Sequence, residues 1–203
     1  MTPARSTLLV TSLLYALFFF WYGGSSVPLT PEEADTIIDE IEKNAKAHSG
    51  AQFDPALIDS FRVLTRNDDG HEFHMLNLMR LRQKAVYPEG YAAAVIPELL
   101  IRGSLPILIG NYSSAFIPAH PASDWDQIGI VRYRSRRDML EMAREMSLRG
   151  GGEHKWASLE ETIVFPIKPV FDLVFVRGVV FIVFFSIGGA VAFGLRRPGA
   201  LLG

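Results

Sequence analysis

Glu72-Phe-His-Met-Leu-Asn-Leu-Met-Arg-Leu-Arg82 decides how the fold is read. Side chains alternate across a strand, so Phe73, Met75, Asn77, Met79 and Leu81 share one face and His74, Leu76, Leu78 and Arg80 the other. Both sets are apolar in the middle. A sheet with one wetted face would show polar residues at every second position, so this strand is expected to be covered on both sides. The turn Asn67-Asp-Asp-Gly70 precedes it, with residue types that bond to their own backbone and tolerate a positive φ.

Downstream, Pro88–Arg102 predicts a helix ending at Gly103, and Leu105–Tyr112 and Trp125–Tyr133 predict two strands joined by the polar loop Ser113–Asp124. Ser135 is placed to cap a helix running to about Leu148. After the loop Arg149-Gly-Gly-Gly152, a last strand is expected over Glu161–Ile167. The order β-α-β-β-α-β is that of the ferredoxin-like, split βαβ folds, an α+β class with helices on one face of a four-stranded antiparallel sheet. Pairing two sheets across a homodimer would cover the other face. The core domain is therefore set at 67–170.

Upstream, Thr30-Pro-Glu-Glu33 is a capping-box helix start, with Thr30 as N-cap and Pro31 at the first helical position. Ile37, Ile38, Ile41 and Ala45 mark the apolar face of this helix, and Gly50 ends it. Asp54-Pro55 opens a second helix through Leu64. These helices form a lead-in over 30–66, one reading of which is a stalk between membrane and core.

Two hydrophobic segments flank this domain, in regions 1–29 and 171–203. Leu173–Leu195 is long enough to cross a bilayer as a helix, and its one charge, Arg177, lies where a long side chain can snorkel to the interface. Thr7–Tyr22 is shorter and ends in Phe18-Phe-Phe-Trp-Tyr22. Those aromatics suit the interfacial belt of a retained span, whereas the small residues Gly23-Gly-Ser-Ser26 suit cleavage of a signal peptide. Arg5 before the first segment and Arg196-Arg197 after the second place both termini in the cytoplasm by the positive-inside rule. The domain is then periplasmic or extracellular and the chain sits in the inner (plasma) membrane, in contact with lipid. Ser186, Ala190 and Gly194 share a helix face, as do Ser12 and Ala16. Such faces let helices pack together or against another membrane subunit, though small residues are also simply common in spans.

The 203 residues are 49% hydrophobic with net charge −2 and no cysteine, and the mean hydropathy is +0.19. The balance of charge gives no electrostatic argument for nucleic acid. Without cysteine there are no disulfides, thiolate nucleophiles or Cys-based zinc sites. The sequence has no P-loop, GxGxxG, GxSxG or HExxH pattern. His71 and His74, three apart on a strand, fall on opposite faces; with His48 and His120 dispersed, no metal site is expected.

Phe73–Arg80, then Tyr87-Pro-Glu-Gly-Tyr91 with Ala92-Ala-Ala-Val-Ile-Pro97, resembles the first strand and helix of the bacterial family called domain of unknown function 1330, of the dimeric α+β barrel superfamily. Trp125–Tyr133 followed by Ser135-Arg-Arg137 resembles its third strand and second helix start. His154-Lys-Trp-Ala-Ser-Leu159 resembles its closing motif. The resemblance spans Glu72–Ile167 and implies a dimeric ferredoxin-like barrel. The chain departs from the family where Ser147–Glu153 replaces a short proline-and-tyrosine segment, altering the wall of any pocket there. The family lends no reaction and no particular cofactor. Its wider superfamily includes cofactor-independent oxygenases, haem-handling proteins, isomerases and stress proteins, so fold alone does not decide function.

Asn77, His74, Arg132, Tyr133 and His154 are the candidate ligand-binding residues. A buried amide such as Asn77 needs partners, from a ligand or from the core. His154 has the titration range of an acid, base or ligand, but no nucleophile or orienting carboxylate adjoins it in sequence. Arg132, Arg134, Arg136, Arg137, Arg144 and Arg149 form a basic run answered by Asp138, Glu141 and Glu145, with an anionic ligand or lipid headgroup as the other reading. Two functions remain open at this point. One is a membrane-held domain binding a small apolar or aromatic compound; the other is a non-catalytic accessory subunit of a larger membrane complex.

Overall fold

The computed structural model describes residues 2–49, 55–82, 88–114, 124–170 and 176–195, without the side chains of 49, 88–89, 152–154 and 156. The basic tail Arg196-Arg197, His120 and the first residues of the second apolar segment lie outside the described residues. In chain order the elements are α1 (Pro3–Gly23), α2 (Pro31–Ser49), α3 (Pro55–Thr65), β1 (Phe73–Leu81), a π-helical turn (Pro88–Ala92), α4 (Ala93–Ile101), β2 (Leu105–Asn111), β3 (Gln127–Tyr133), α5 (Arg136–Leu148), α6 (Gly151–Ser158), β4 (Leu159–Ile167) and α7 (Val176–Gly194). They divide into two compact units, Gly23–Val170 and the two terminal stretches.

The larger unit is α+β. Its four strands pair in the order β2-β3-β1-β4, and every neighbouring pair is antiparallel. Phe73 pairs with Tyr133, Met75 with Val131 and Asn77 with Gly129 on β3, while Asn77 pairs with Val164 on β4. The odd positions of β1 thus share a face with Tyr133, Val131 and Val164. Helices α4 and α5 close over that face, where Phe73, Met75, Val95, Leu99, Tyr133, Met142 and Met146 form one core. On β2 the register slips between Pro106 and Leu108. Proline has no N–H for the ladder, so a bulge on an edge strand is where it is tolerated.

Helix α5 has a second apolar side, against the lead-in. Leu140 packs with Ile38 and Ile41 of α2 and Ile58 and Phe61 of α3. Burying Ile38, which has no exposed surface, contributes about 1.5–3 kcal/mol. Thus α2 lies on the core helix rather than standing off it as a stalk. The capping box forms as expected: Thr30 N–H donates to Glu33 at 2.9 Å and Glu33 N–H donates to Thr30 Oγ1 at 3.2 Å. Ser135 Oγ likewise accepts from the Asp138 N–H at 3.1 Å.

The arginines do more than answer nearby acids on α5. Arg134 pairs with Asp138, but Arg136 reaches Asp68 at 3.1 Å and Asp69 at 3.3 Å, and Arg137 reaches Glu33 at 2.9 Å. Asp68, with a side chain 1% exposed, also accepts from the N–H groups of Leu29 at 2.8 Å and Gly70 at 3.0 Å. Asp69 binds Lys168, just after β4. This clasp joins the turn before β1 to the lead-in, to α5 and to the end of β4. Gly70 takes φ +71°, and a Cβ there would lie 2.6 Å from the Ser26 backbone. No other residue suits both the conformation and the space.

Two local expectations are corrected. The helix expected over Pro88–Arg102 opens as a π-helical turn before continuing as α4. Pro97 lies inside α4 and supplies no N–H for an i−4 bond, the kind of defect beside which wider helical turns occur. The triple-glycine stretch is not merely a loop before the last strand. Gly150 adopts a left-handed φ of 68° at the start of a short helix, α6, which leads straight into β4.

In the smaller unit, α1 and α7 are both long and apolar enough to cross a membrane. Their contact runs through Thr11 and Gly188, where a Cβ on the glycine would collide with Thr11 Oγ1. The Tyr15 hydroxyl donates to the Arg177 carbonyl at 3.3 Å, and its ring meets Phe181 edge-on at 5.3 Å. The Arg177 guanidinium lies 4.7 Å from the centre of the Phe19 ring and 5.4 Å from that of Tyr22. Ser186, Ala190 and Gly194 are exposed. The close approach therefore uses a different face of α7 from the one the spacing singled out.

Candidate functional site

A cavity of about 640 Å³ lies between the covered sheet face and the helices. The chain has six methionines and, Met1 apart, all of them line it: Met75 and Met79 from β1, Met139, Met142 and Met146 from α5. The strand pair is four apart, an even spacing, and so on one face. The helix set falls at i, i+3 and i+7, one stripe of a 3.6-residue period. Methionine is flexible and polarizable, suited to walls that adapt to irregular apolar shapes.

Polar and charged side chains also line this space, among them Asn77, Arg82, Gln127, Lys155 and Glu160. Asn77 lines it and donates from Nδ2 to the carbonyls of Met75 at 3.1 Å and Gly129 at 3.4 Å. These bonds tie the amide to the backbone of β1 and β3. Among the described residues its Oδ1 accepts no hydrogen bond, leaving an acceptor at the cavity wall. Tyr133 also lines the cavity; its ring stacks on Phe73 at 5.4 Å, and its hydroxyl points to Met142 Sδ at 3.9 Å. Lys155, on α6, places Nζ 5.8 Å from the centre of the Tyr91 ring, and both residues line the cavity. Burial pushes the Lys155 ammonium pKa below its ordinary value, because a poorly solvated site disfavours the charged form.

The five residues singled out from the sequence do not all meet here. Asn77 and Tyr133 are on the cavity side. His74 and Arg132 face each other across β1 and β3 on the opposite side of the sheet. The Arg132 guanidinium is held by Glu72 and donates from Nη1 to the Gly103 carbonyl at 2.8 Å. The side chain of His154 lies outside the described residues. Lys155 and Tyr91 were not singled out, although both occur within motifs that were. Their meeting depends on the π-helical turn and on α6, neither of which the sequence announces. Among the described residues no group of three or more His, Asp or Glu is placed to hold a metal ion.

No protein-family model matches the chain, and no curated protein does. The crystal structure of a protein of unknown function from Rhodopseudomonas palustris is similar, with 25% sequence identity and a TM-score of 0.51, over 60% of this chain and 97% of that one. The methylated form of that protein matches at 23% identity and a TM-score of 0.48, over 60% of this chain and 96% of the other. The chain therefore shares a small α+β fold with a protein whose own function is unknown.

Proposed function

We propose that this chain is a membrane-anchored binding protein whose α+β domain takes a small apolar or aromatic compound into its methionine-lined cavity. The observation that carries this reading is the convergence of Met75, Met79, Met139, Met142 and Met146 on one space of about 640 Å³. That volume is within the range of small-molecule pockets, whose walls are mostly apolar with a few placed polar groups. Asn77 Oδ1 supplies such a group, an acceptor for a ligand N–H or O–H.

The strand order supports a ferredoxin-like barrel of the kind the resemblance to the domain of unknown function 1330 family implies. The apolar side chains on the other sheet face support pairing of two copies. With α1 and α7 as anchors and the positive-inside orientation, the cavity faces the periplasm or exterior. A second reading, an accessory subunit in a membrane complex, is favoured by the exposed small-residue face Ser186, Ala190 and Gly194.

The test is thermal unfolding of the detergent-purified full chain with and without indole, an aromatic N–H donor. A ligand that binds the folded state raises its stability by RT ln(1 + [L]/Kd). Indole is expected to raise the melting temperature of the wild type and to do little for Met75→Trp, which fills the cavity. Equal shifts in both proteins, or none in either, would overturn the reading. Mass spectrometry of small molecules released from the purified chain then identifies the natural class.

A further inference from the structure

Resting on that cavity, we propose that Lys155 captures an apolar carbonyl compound, an aromatic or long-chain aldehyde, as an imine on its Nζ. Lys155 lines the cavity together with Tyr91 and the methionines of β1 and α5, its Nζ 5.8 Å from the centre of the Tyr91 ring. The other described lysines are placed differently. Lys43 and Lys46 are exposed on α2, Lys46 pairing with Glu42 at 2.6 Å, and Lys168 is exposed and held by Asp69.

A lysine becomes a nucleophile when its amine is free of its proton, which a hydrophobic setting promotes. An ordinary lysine, with pKa about 10.4, is almost wholly protonated at neutral pH; burial moves Lys155 away from that state. The walls also select the partner. A long or aromatic body fits among methionines, and its carbonyl carbon is the atom an amine attacks.

The step balances without an oxidant or a reductant. The Nζ lone pair forms a bond to the carbonyl carbon while the carbonyl π pair moves to oxygen. Both amine hydrogens pass to that oxygen, which leaves as water, and a C=N bond remains. The product is a covalently held but reversible cargo, which suits carriage or detoxification of reactive aldehydes.

The experiment treats the full chain in detergent with benzaldehyde and cyanoborohydride at neutral pH, then maps the reduced benzyl adducts by peptide mass spectrometry. Lys155 is expected to be labelled on the order of tenfold or more above Lys43, Lys46 and Lys168, and excess indole is expected to suppress that label. Lys155→Arg, which keeps the charge but forms no such imine, should lose the adduct. Lys155→Gln serves if the arginine variant fails to fold by circular dichroism. Labelling spread evenly over the exposed lysines, or Lys155 labelling that indole leaves unchanged, would overturn the inference. An indole shift without Lys155 labelling removes this inference and leaves the cavity reading standing. Absence of both effects removes both.

Discussion

The two faces of the sheet carry similar residues and lead different lives. On one, Phe73 is 2% exposed and stacked on Tyr133 beneath α4 and α5. On the other, Phe165 is 43% exposed, and Ile163 and Leu108 are 45% and 49% exposed. The strands alternate apolar residues to both sides, so the difference comes from what packs on them. The helices bury the middle of one face and leave a cavity inside it, while Val164 and Ile109 on its edge strands stay 38% and 64% exposed. The second face presents an apolar surface too extensive to read as scattered single residues, the kind that marks an interaction site. The same strand sequence therefore serves a pocket on one side and, by our reading, a partner copy on the other.

The sharpest way to break this comparison is to remove the same side chain from each face. Phe73→Ala is expected to cost about 3–5 kcal/mol of folding stability, the range for a buried aromatic truncated to alanine. Urea unfolding followed by circular dichroism measures it. A loss no greater than that of Phe165→Ala would mean the helix layer does not pack as described, and the distinction between the faces would collapse.

Much of this is legible in the sequence alone. The alternation in 72–82 marked a strand apolar on both sides, and the capping box at Thr30 and Glu33 marked the start of α2, because both signals are local. The same period of two puts His74 and Asn77 on opposite faces of β1. Pairing then carries Arg132 to the side of His74. Other features depend on distant partners. Arg136 meets Asp68 and Asp69 only because the turn before β1 folds beside α5. Helix α6 was hidden by glycines, which form helices poorly, although Glu153–Ser158 carries no residue that breaks one. The cavity needed α5 laid over β1, which brings two short methionine patterns together.

The clasp at the edge of the covered face gives a smaller effect. Lys168, His71 N–H and Arg136 hold the Asp69 carboxyl at about 2, down from 3.8, with the hydrogen bond from Lys168 the largest cause. A carboxylate with a depressed folded pKa stabilises above its unfolded value, and that stability is lost as pH falls through the folded one. The contribution should therefore be complete above about pH 4 and disappear between about 4 and 2. Asp69 is 35% exposed on its side chain and Lys168 70%, so solvent screening reduces the contribution to about 1 kcal/mol or less. Wild type and Asp69→Asn are expected to differ at pH 6 and converge near pH 2 in their urea midpoints. Equal midpoints throughout would show that the clasp does not depend on this carboxylate.

The smallest effect on folding is expected on the exposed face. Phe165→Ser removes an aromatic that is 43% exposed. In the isolated unit its cost should stay near the roughly 0.5 kcal/mol typical of surface positions. The same change should nevertheless act strongly on assembly. Phe165 pairs with Leu76, and Ile163 with Leu78, across β4 and β1, so these four side chains form the middle of the apolar patch. Two copies placed sheet to sheet would bury them, and a hydroxyl there would leave a desolvated polar group without an assured partner. Phe165→Ser is thus expected to shift the detergent-solubilised chain from dimer to monomer, read by light scattering at several protein concentrations, while the urea midpoint of the monomer barely moves. A wild type that stays monomeric at every concentration would remove the partner copy from this face. A large stability loss at concentrations where the wild type is already monomeric would instead show that Phe165 is packed within its own chain.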